Sequence, residues 1–122
     1  MQAALASILD LPIEQVVDTT SDECRADWGG SIARWLADRR LKIVTRSSSA
    51  DLAGKYSIGC GPSPRGPFAH AVVCKNGRMV FDPHPSDDGI LDLHWHEVLE
   101  PMSETELKLH AAGGWYPPRS PA

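Results

Sequence analysis

His70-Ala-Val-Val-Cys-Lys-Asn-Gly-Arg-Met-Val-Phe-Asp82-Pro83 decides how this chain is read. Short alternating apolar runs flank Asn76-Gly77, the strongest local signal for a β-hairpin. Two registers are open. A two-residue turn on Asn76-Gly77 pairs Lys75 with Arg78 and His70 with Pro83, which leaves Asp82 on the opposite face from His70. A three-residue loop on Lys75-Asn76-Gly77 pairs Cys74 with Arg78 and His70 with Asp82. Directly opposed residues have Cβ atoms about 5 Å apart, close enough for a carboxylate to hold an imidazole. The second register also gathers Ala71, Val73, Met79 and Phe81 on one face as a core, so it is the expected one.

A histidine oriented by an aspartate is the base portion of a Cys/Ser-His-Asp arrangement. In an arbitrary hairpin the same pair is more often a sheet-stabilising contact, so the rest of the chain has to decide. At 122 residues, with 42% hydrophobic and 23% charged residues, the chain suits one packed domain, expected over residues 1–112, followed by a Gly/Pro-rich tail at 113–122. A formal net charge of −4 and no extended Lys/Arg block argue against a nucleic-acid partner. No apolar run approaches membrane-spanning length, so no membrane partner is expected. Three irregularly spaced cysteines do not make a disulfide framework; without a basic leader ahead of the apolar Ala3–Leu9 segment, they point to the cytoplasm.

Outward from the hairpin, helices precede strands. Leu5, Ile8 and Leu9 predict a first helix over residues 1–9, and Pro12 opens a short second one at residues 13–17. Asp18–Asp27 reads as a polar loop. Trp28, Ile32, Trp35 and Leu36 then recur at helical spacing up to Arg40, with Ser31 as the expected cap and both tryptophans in the core. Strands are expected at 41–45, 56–59 and 90–98, the last with Asp92, His94 and His96 on a solvent face. A short helix at 104–110 follows. Helices first and an antiparallel sheet afterwards make an α+β fold.

This order, with Ala3-Ala4-Leu5-Ala6-Ser7-Ile8-Leu9-Asp10-Leu11-Pro12, Gly61-Pro62-Ser63-Pro64-Arg65-Gly66, and His70-Ala71-Val72-Val73 through Phe81-Asp82-Pro83-His84-Pro85, resembles the papain-like cysteine peptidases. Within them it is most similar to the peptidases that trim double-glycine leaders and to their small phage and bacterial relatives. The resemblance implies a papain-like α+β fold, with the first helix packed on the sheet and a cleft between them. It makes His70 the general base and Asp82 its orienting partner. It also implies a nucleophilic cysteine at the start of the first helix, where the helix dipole lowers a thiol pKa. Aligned on Leu5-Ala6-Ser7, that cysteine falls one position before Met1, and Gln2 does not take the role of the glutamine that supplies an oxyanion donor in relatives.

Two functions follow from the resemblance. One is a phage or prophage pseudoenzyme that binds a host or viral protein, in the host cytosol if phage-encoded. The other is an N-terminally truncated cysteine peptidase or amide hydrolase. The resemblance implies no cofactor and leaves the oligomeric state open. Other cysteines do not substitute: Cys74 shares the face of His70 but lies about 13 Å along the strand at about 3.3 Å per residue, and Cys60 reaches His70 only if the proline-rich loop folds back. Zinc needs three or four convergent ligands. His84, His94, His96 and Asp82 lack the paired spacing of a metal site. Trp115-Tyr116 in the tail is read as two incidental aromatics.

Overall fold

A computed structural model describes residues 1–48 and 50–114. The elements run α1 (Gln2–Leu9), a 3-10 turn (Ile13–Gln15), α2 (Asp22–Ala26), α3 (Trp28–Ala37), β1 (Leu41–Arg46), β2 (Tyr56–Pro62), β3 (Ala69–Lys75), β4 (Arg78–Phe81), β5 (Trp95–Pro101) and α4 (Glu104–Ala111). The strands form one sheet of order β1-β5-β2-β3-β4, and β2 pairs antiparallel with both β3 and β5. Helices with an antiparallel sheet make the fold α+β, as expected. By contacts the chain divides into two compact units: Met1–Val16 with Thr45–Val98, and Val17–Val44 with Leu99 onward. Trp115-Tyr116 lies outside the described residues.

The first unit carries the hairpin. Ile58 pairs with Val73, Cys60 with Ala71 and Gly61 with His70, and the central residues of β2 and β3 are buried. α1 packs against these two strands, with Ala4, Leu5 and Ala6 removed from solvent. Full burial of a side chain the size of Leu5 is worth roughly 1.5–3 kcal/mol, and the flanking alanines let the helix backbone approach the sheet. Asp10 ends the helix in the left-handed conformation at φ 54°. Gln2 Nε2 then donates to the carbonyls of Ile13 and Val16, tying the helix to the following turn.

The hairpin corrects the expected register. Lys75 pairs with Arg78 and Cys74 with Met79, so the turn is the two-residue Asn76-Gly77. Both residues have positive φ (55° and 75°), the requirement of a type I′ turn, which Asn-Gly meets at least cost. Asn76 also accepts a 2.6 Å hydrogen bond from the Gly54 N–H through Oδ1 and donates its own N–H to the Lys55 carbonyl. The register then shifts. Val73 pairs with Phe81, leaving Val80 as the extra residue of a β-bulge. The expected apolar face does not form either. Met79 lies across from Cys74, on the other face from Phe81, and both are about half exposed (47% and 51%).

In the second unit, Asp18–Asp27 is not all loop. Ser21 caps α2 by accepting from the Cys24 N–H, and Asp22 and Glu23 in the first turn suit the positive end of the helix. The cap of α3 is Asp27 rather than Ser31: its carboxylate accepts from the Gly30 N–H and holds Arg34 at 3.1 Å. Ile32, Leu36 and Ala37 form the buried stripe of this helix. Trp28 is 44% exposed and so is not core, because it falls on the first, outward-facing turn. Trp35 is half-buried beneath the Arg39 guanidinium, 3.7 Å from the ring centroid. A capping box of Ser103 and Glu106 starts α4, and Lys42 holds Glu106 at 3.0 Å.

Candidate functional site

Asp82 follows the last residue of β4, and it is there that the bulge matters. A regular ladder continued from Asn76-Gly77 would put Asp82 opposite Ala71, on the wrong face. The extra Val80 moves it one place, opposite Val72 and onto the face of His70. His70 and Asp82 become diagonal neighbours, within reach of a long side chain. His70 Nε2 lies 2.8 Å from Asp82 Oδ1. The two residues singled out in the sequence therefore meet, although the turn expected to bring them together is not the one used.

Two further groups fix the carboxylate, and neither was recognised in the sequence. The backbone N–H of His84 donates to Oδ1 at 2.9 Å, and that of Gly89 donates to Oδ2 at 2.7 Å. The first is an Asx turn, whose signal was Asp82 two residues before His84 in a Pro-rich stretch. Nothing local marked Gly89, because its partner is seven residues away. Burial alone would raise the Asp82 pKa. The His84 N–H, the His70 ring, the Gly89 N–H and the charge His70 can carry outweigh it and hold the carboxyl below its usual range. An ionised carboxylate only accepts, so the proton of neutral His70 resides on Nε2 and the Nδ1 lone pair is left as the basic site. The Asp82 side chain is fully buried while that of His70 is 14% exposed. The carboxylate is dry and the base reaches solvent. His84 stands edge-on to His70 with centroids 6.1 Å apart, and its Nδ1 accepts from the Ser86 N–H.

Alternation along the strands sets His70, Gly61, Val72 and Cys74 on one face and Cys60, Ala71, Val73 and Phe81 on the other. α1 lies against the second face, where Ala3, Ala6, Ser7 and Asp10 share a shallow groove of about 340 Å³ with Phe81 and Pro83. The first face is closed near His70 by residues 90–93: a Cβ at Gly61 would strike the Asp92 carbonyl and touch Ile90. The pair therefore does not line a cleft facing α1. It lies at the end of β2 and β3, under the 84–93 segment. The N-terminal end of α1 comes to the same end of the strands. The Met1 α-amine is buried, which lowers its pKa against a smaller opposing influence of Cys60, and Cys60 adjoins Gly61, the strand partner of His70.

None of the three cysteines serves this base. Cys24, Cys60 and Cys74 are free and buried. Burial, with the Glu97 carboxylate next, pushes the Cys60 thiol up to about 12, and burial also raises Cys74. Among the described residues no three His, Cys, Asp or Glu side chains converge as metal ligands. His96, expected on a solvent face, is buried with Nδ1 2.9 Å from Ser57 Oγ, and desolvation lowers its pKa. It was misread because residues 90–94 do not continue the strand, which begins at Trp95. His94 stays exposed beside Asp92 at 3.5 Å. No helix among the described residues is long and apolar enough to cross a membrane. Comparison with protein-family models, curated proteins and solved structures finds no match to this chain.

Proposed function

We propose that His70 and Asp82 are the base half of a cysteine-peptidase-type acyl-transfer site on a papain-like scaffold, with a peptide or amide as substrate. The observation that carries this reading is the 2.8 Å contact from His70 Nε2 to a dry, triply hydrogen-bonded carboxylate, which leaves Nδ1 as the base on a ring that is 14% exposed. In the reaction, Nδ1 takes the proton of a nucleophile as it attacks the carbonyl and returns it to the leaving amine, while Asp82 holds the ring and stabilises the imidazolium. The matching place for a thiol is the N-terminal end of α1, where the helix dipole favours the thiolate; because α1 packs on the other face of the sheet, a thiol there would have to meet His70 around the shared end of β2 and β3. None of Cys24, Cys60 and Cys74 lies there, and a protein or peptide is the proposed partner of the site.

The test compares the chain with the same chain carrying one cysteine joined ahead of Met1, each with and without His70→Ala. Alkylation by iodoacetamide near neutral pH should be about tenfold faster for the added cysteine than for an unstructured thiol, with the advantage lost in the His70→Ala form. The unextended chain should label slowly throughout. An added cysteine that reacts like a free peptide thiol, with no response to His70→Ala, sinks the reading.

A further inference from the structure

In the unit that begins at Val17, the stretch from Asp18 to Trp28 builds a pocket of about 460 Å³ lined by Thr19, Thr20, Arg25 and Trp28. Local hydrogen bonds fix its walls. Asp18 Oδ1 accepts from the Thr20 N–H at 2.9 Å and from the Thr20 hydroxyl at 2.6 Å, and the Ser21 hydroxyl donates to the Asp18 carbonyl at 2.9 Å. α2 then carries the chain to Asp27, whose carboxylate caps α3 and holds Arg34. Asp18 and Asp27 are thus committed elsewhere, and the Arg25 guanidinium makes no hydrogen bond or ion pair among the described residues. Trp28 opens α3 with 44% of its surface exposed. Thr19 is only 7% exposed, and its hydroxyl has no hydrogen-bond partner among the described residues. That hydroxyl is not sealed in: among the described residues the one fully enclosed, unpartnered side-chain polar atom is Arg65 Nε. It therefore opens on the pocket that Thr19 lines. Polar groups so nearly buried are almost always paired, and here the partner has to enter through the pocket.

We propose that this pocket binds a small aromatic carboxylate, with its ring on Trp28, its carboxylate gripped by Arg25 and one carboxylate oxygen accepting from the Thr19 hydroxyl. Each wall selects one part of that ligand. A half-exposed indole face holds a planar ring through contact area and its quadrupole. A guanidinium presents two parallel N–H groups at the spacing of one carboxylate. Arg25 is the only cation lining the pocket, which matches one negative charge and leaves the second charge of a phosphate unmet. The volume falls within the roughly 300–1,000 Å³ of small-molecule sites, and all four lining residues come from Thr19–Trp28, a span suited to one ring system rather than to a polypeptide. The site is independent of His70 and Asp82, which belong to the other unit.

The experiment follows the indole Nε1–H resonances of the whole chain by NMR during titration with 1-naphthoate, 1-naphthamide or acetate. A saturable shift of the Trp28 indole with 1-naphthoate, and binding at least about tenfold weaker for the uncharged amide and for the ringless acid, is the expected result. Arg25→Gln should weaken 1-naphthoate about tenfold or more, and Arg25→Lys should recover only part of the loss because it keeps the charge without the fork. Thr19→Val, close in shape, should weaken it about threefold or more through the lost hydroxyl. Arg25 is exposed, so its replacement leaves the fold intact, which the remaining indole signals check in each variant. No saturable shift at Trp28, an equal response to 1-naphthamide, or undiminished binding in Arg25→Gln or Thr19→Val overturns the assignment. That failure leaves the His70 reading untouched, since alkylation of an added cysteine does not depend on Arg25 or Trp28.

Discussion

Asp82 is the residue on which the site depends most, because its two oxygens receive three donors from His70, His84 and Gly89. Asp82→Asn keeps the shape but turns one oxygen into a donor. Either Gly89 N–H or His70 and His84 then face an amide NH2. The expected cost is about 1–3 kcal/mol in equilibrium unfolding, together with a downfield-to-upfield change of the His70 Nε2 proton that marks a lost carboxylate. The pH response follows from two shifted groups. Asp82 has a depressed folded pKa, so its contribution is present above the unfolded value near 3.9 and is lost as pH falls through the folded one. His96 also has a depressed folded pKa, from burial, so the unfolded chain takes up its proton first. Its effect is therefore seen in a higher window: stability should decline as pH drops below about 6.5. In His96→Gln that slope should be absent from urea unfolding measured between neutral and mildly acid pH, even if the variant is less stable at every pH. Both aspartate and histidine were visible in the sequence, but only the contact of Asp82 with His70 was legible there. His96 was hidden because its burial depends on where β5 starts, which alternation alone does not fix.

At the scale of the element, β4 shows why the pair could be found and its geometry could not. Residues 78–82 alternate well enough for more than one register, and the Asn-Gly turn specifies its own geometry but not the bulge that follows. The parity that the three-residue loop was expected to supply comes from Val80 instead. Deleting Val80 should therefore be tolerated: Phe81 would follow Met79 directly, stay opposite Val73, and leave Asp82 opposite Val72. The expected outcome is an unchanged His70–Asp82 hydrogen bond by NMR, with Val73–Phe81 cross-strand contacts retained. Loss of that bond in the deletion would show that the bulge does more than correct the count. The short helix α2 was missed for a related reason. Its cap, Ser21, and its acidic first turn are local signals, but the surrounding polarity made the stretch read as loop.

Across the whole molecule, the α+β class was legible from the order of helical and strand periodicities, whereas the division into two units was not, since each is assembled from segments distant in sequence. The cysteines sample both: Cys24 lies in the unit that begins at Val17, and Cys60 and Cys74 lie in the unit that contains the hairpin. All three are buried, so under native conditions each should be alkylated only through opening of its surroundings. Mass spectrometry of site-resolved labelling against urea should give Cys60 and Cys74 one shared protection curve, because they occupy adjacent paired strands. Separate curves for those two would contradict a jointly protected sheet.

The turn at Asn76-Gly77 has a consequence for how the protein ages. Asn-Gly is the dipeptide most prone to deamidation, through attack of the glycine nitrogen on the asparagine side-chain carbonyl to form a succinimide. Here that carbonyl is engaged by the Gly54 N–H at 2.6 Å, and the type I′ backbone fixes both residues. Cyclisation would have to break the hydrogen bond and open the turn. Amide-to-acid conversion at Asn76 should therefore be much slower in the folded chain than in urea, and peptide mapping after prolonged storage would report the integrity of the hairpin that positions Asp82.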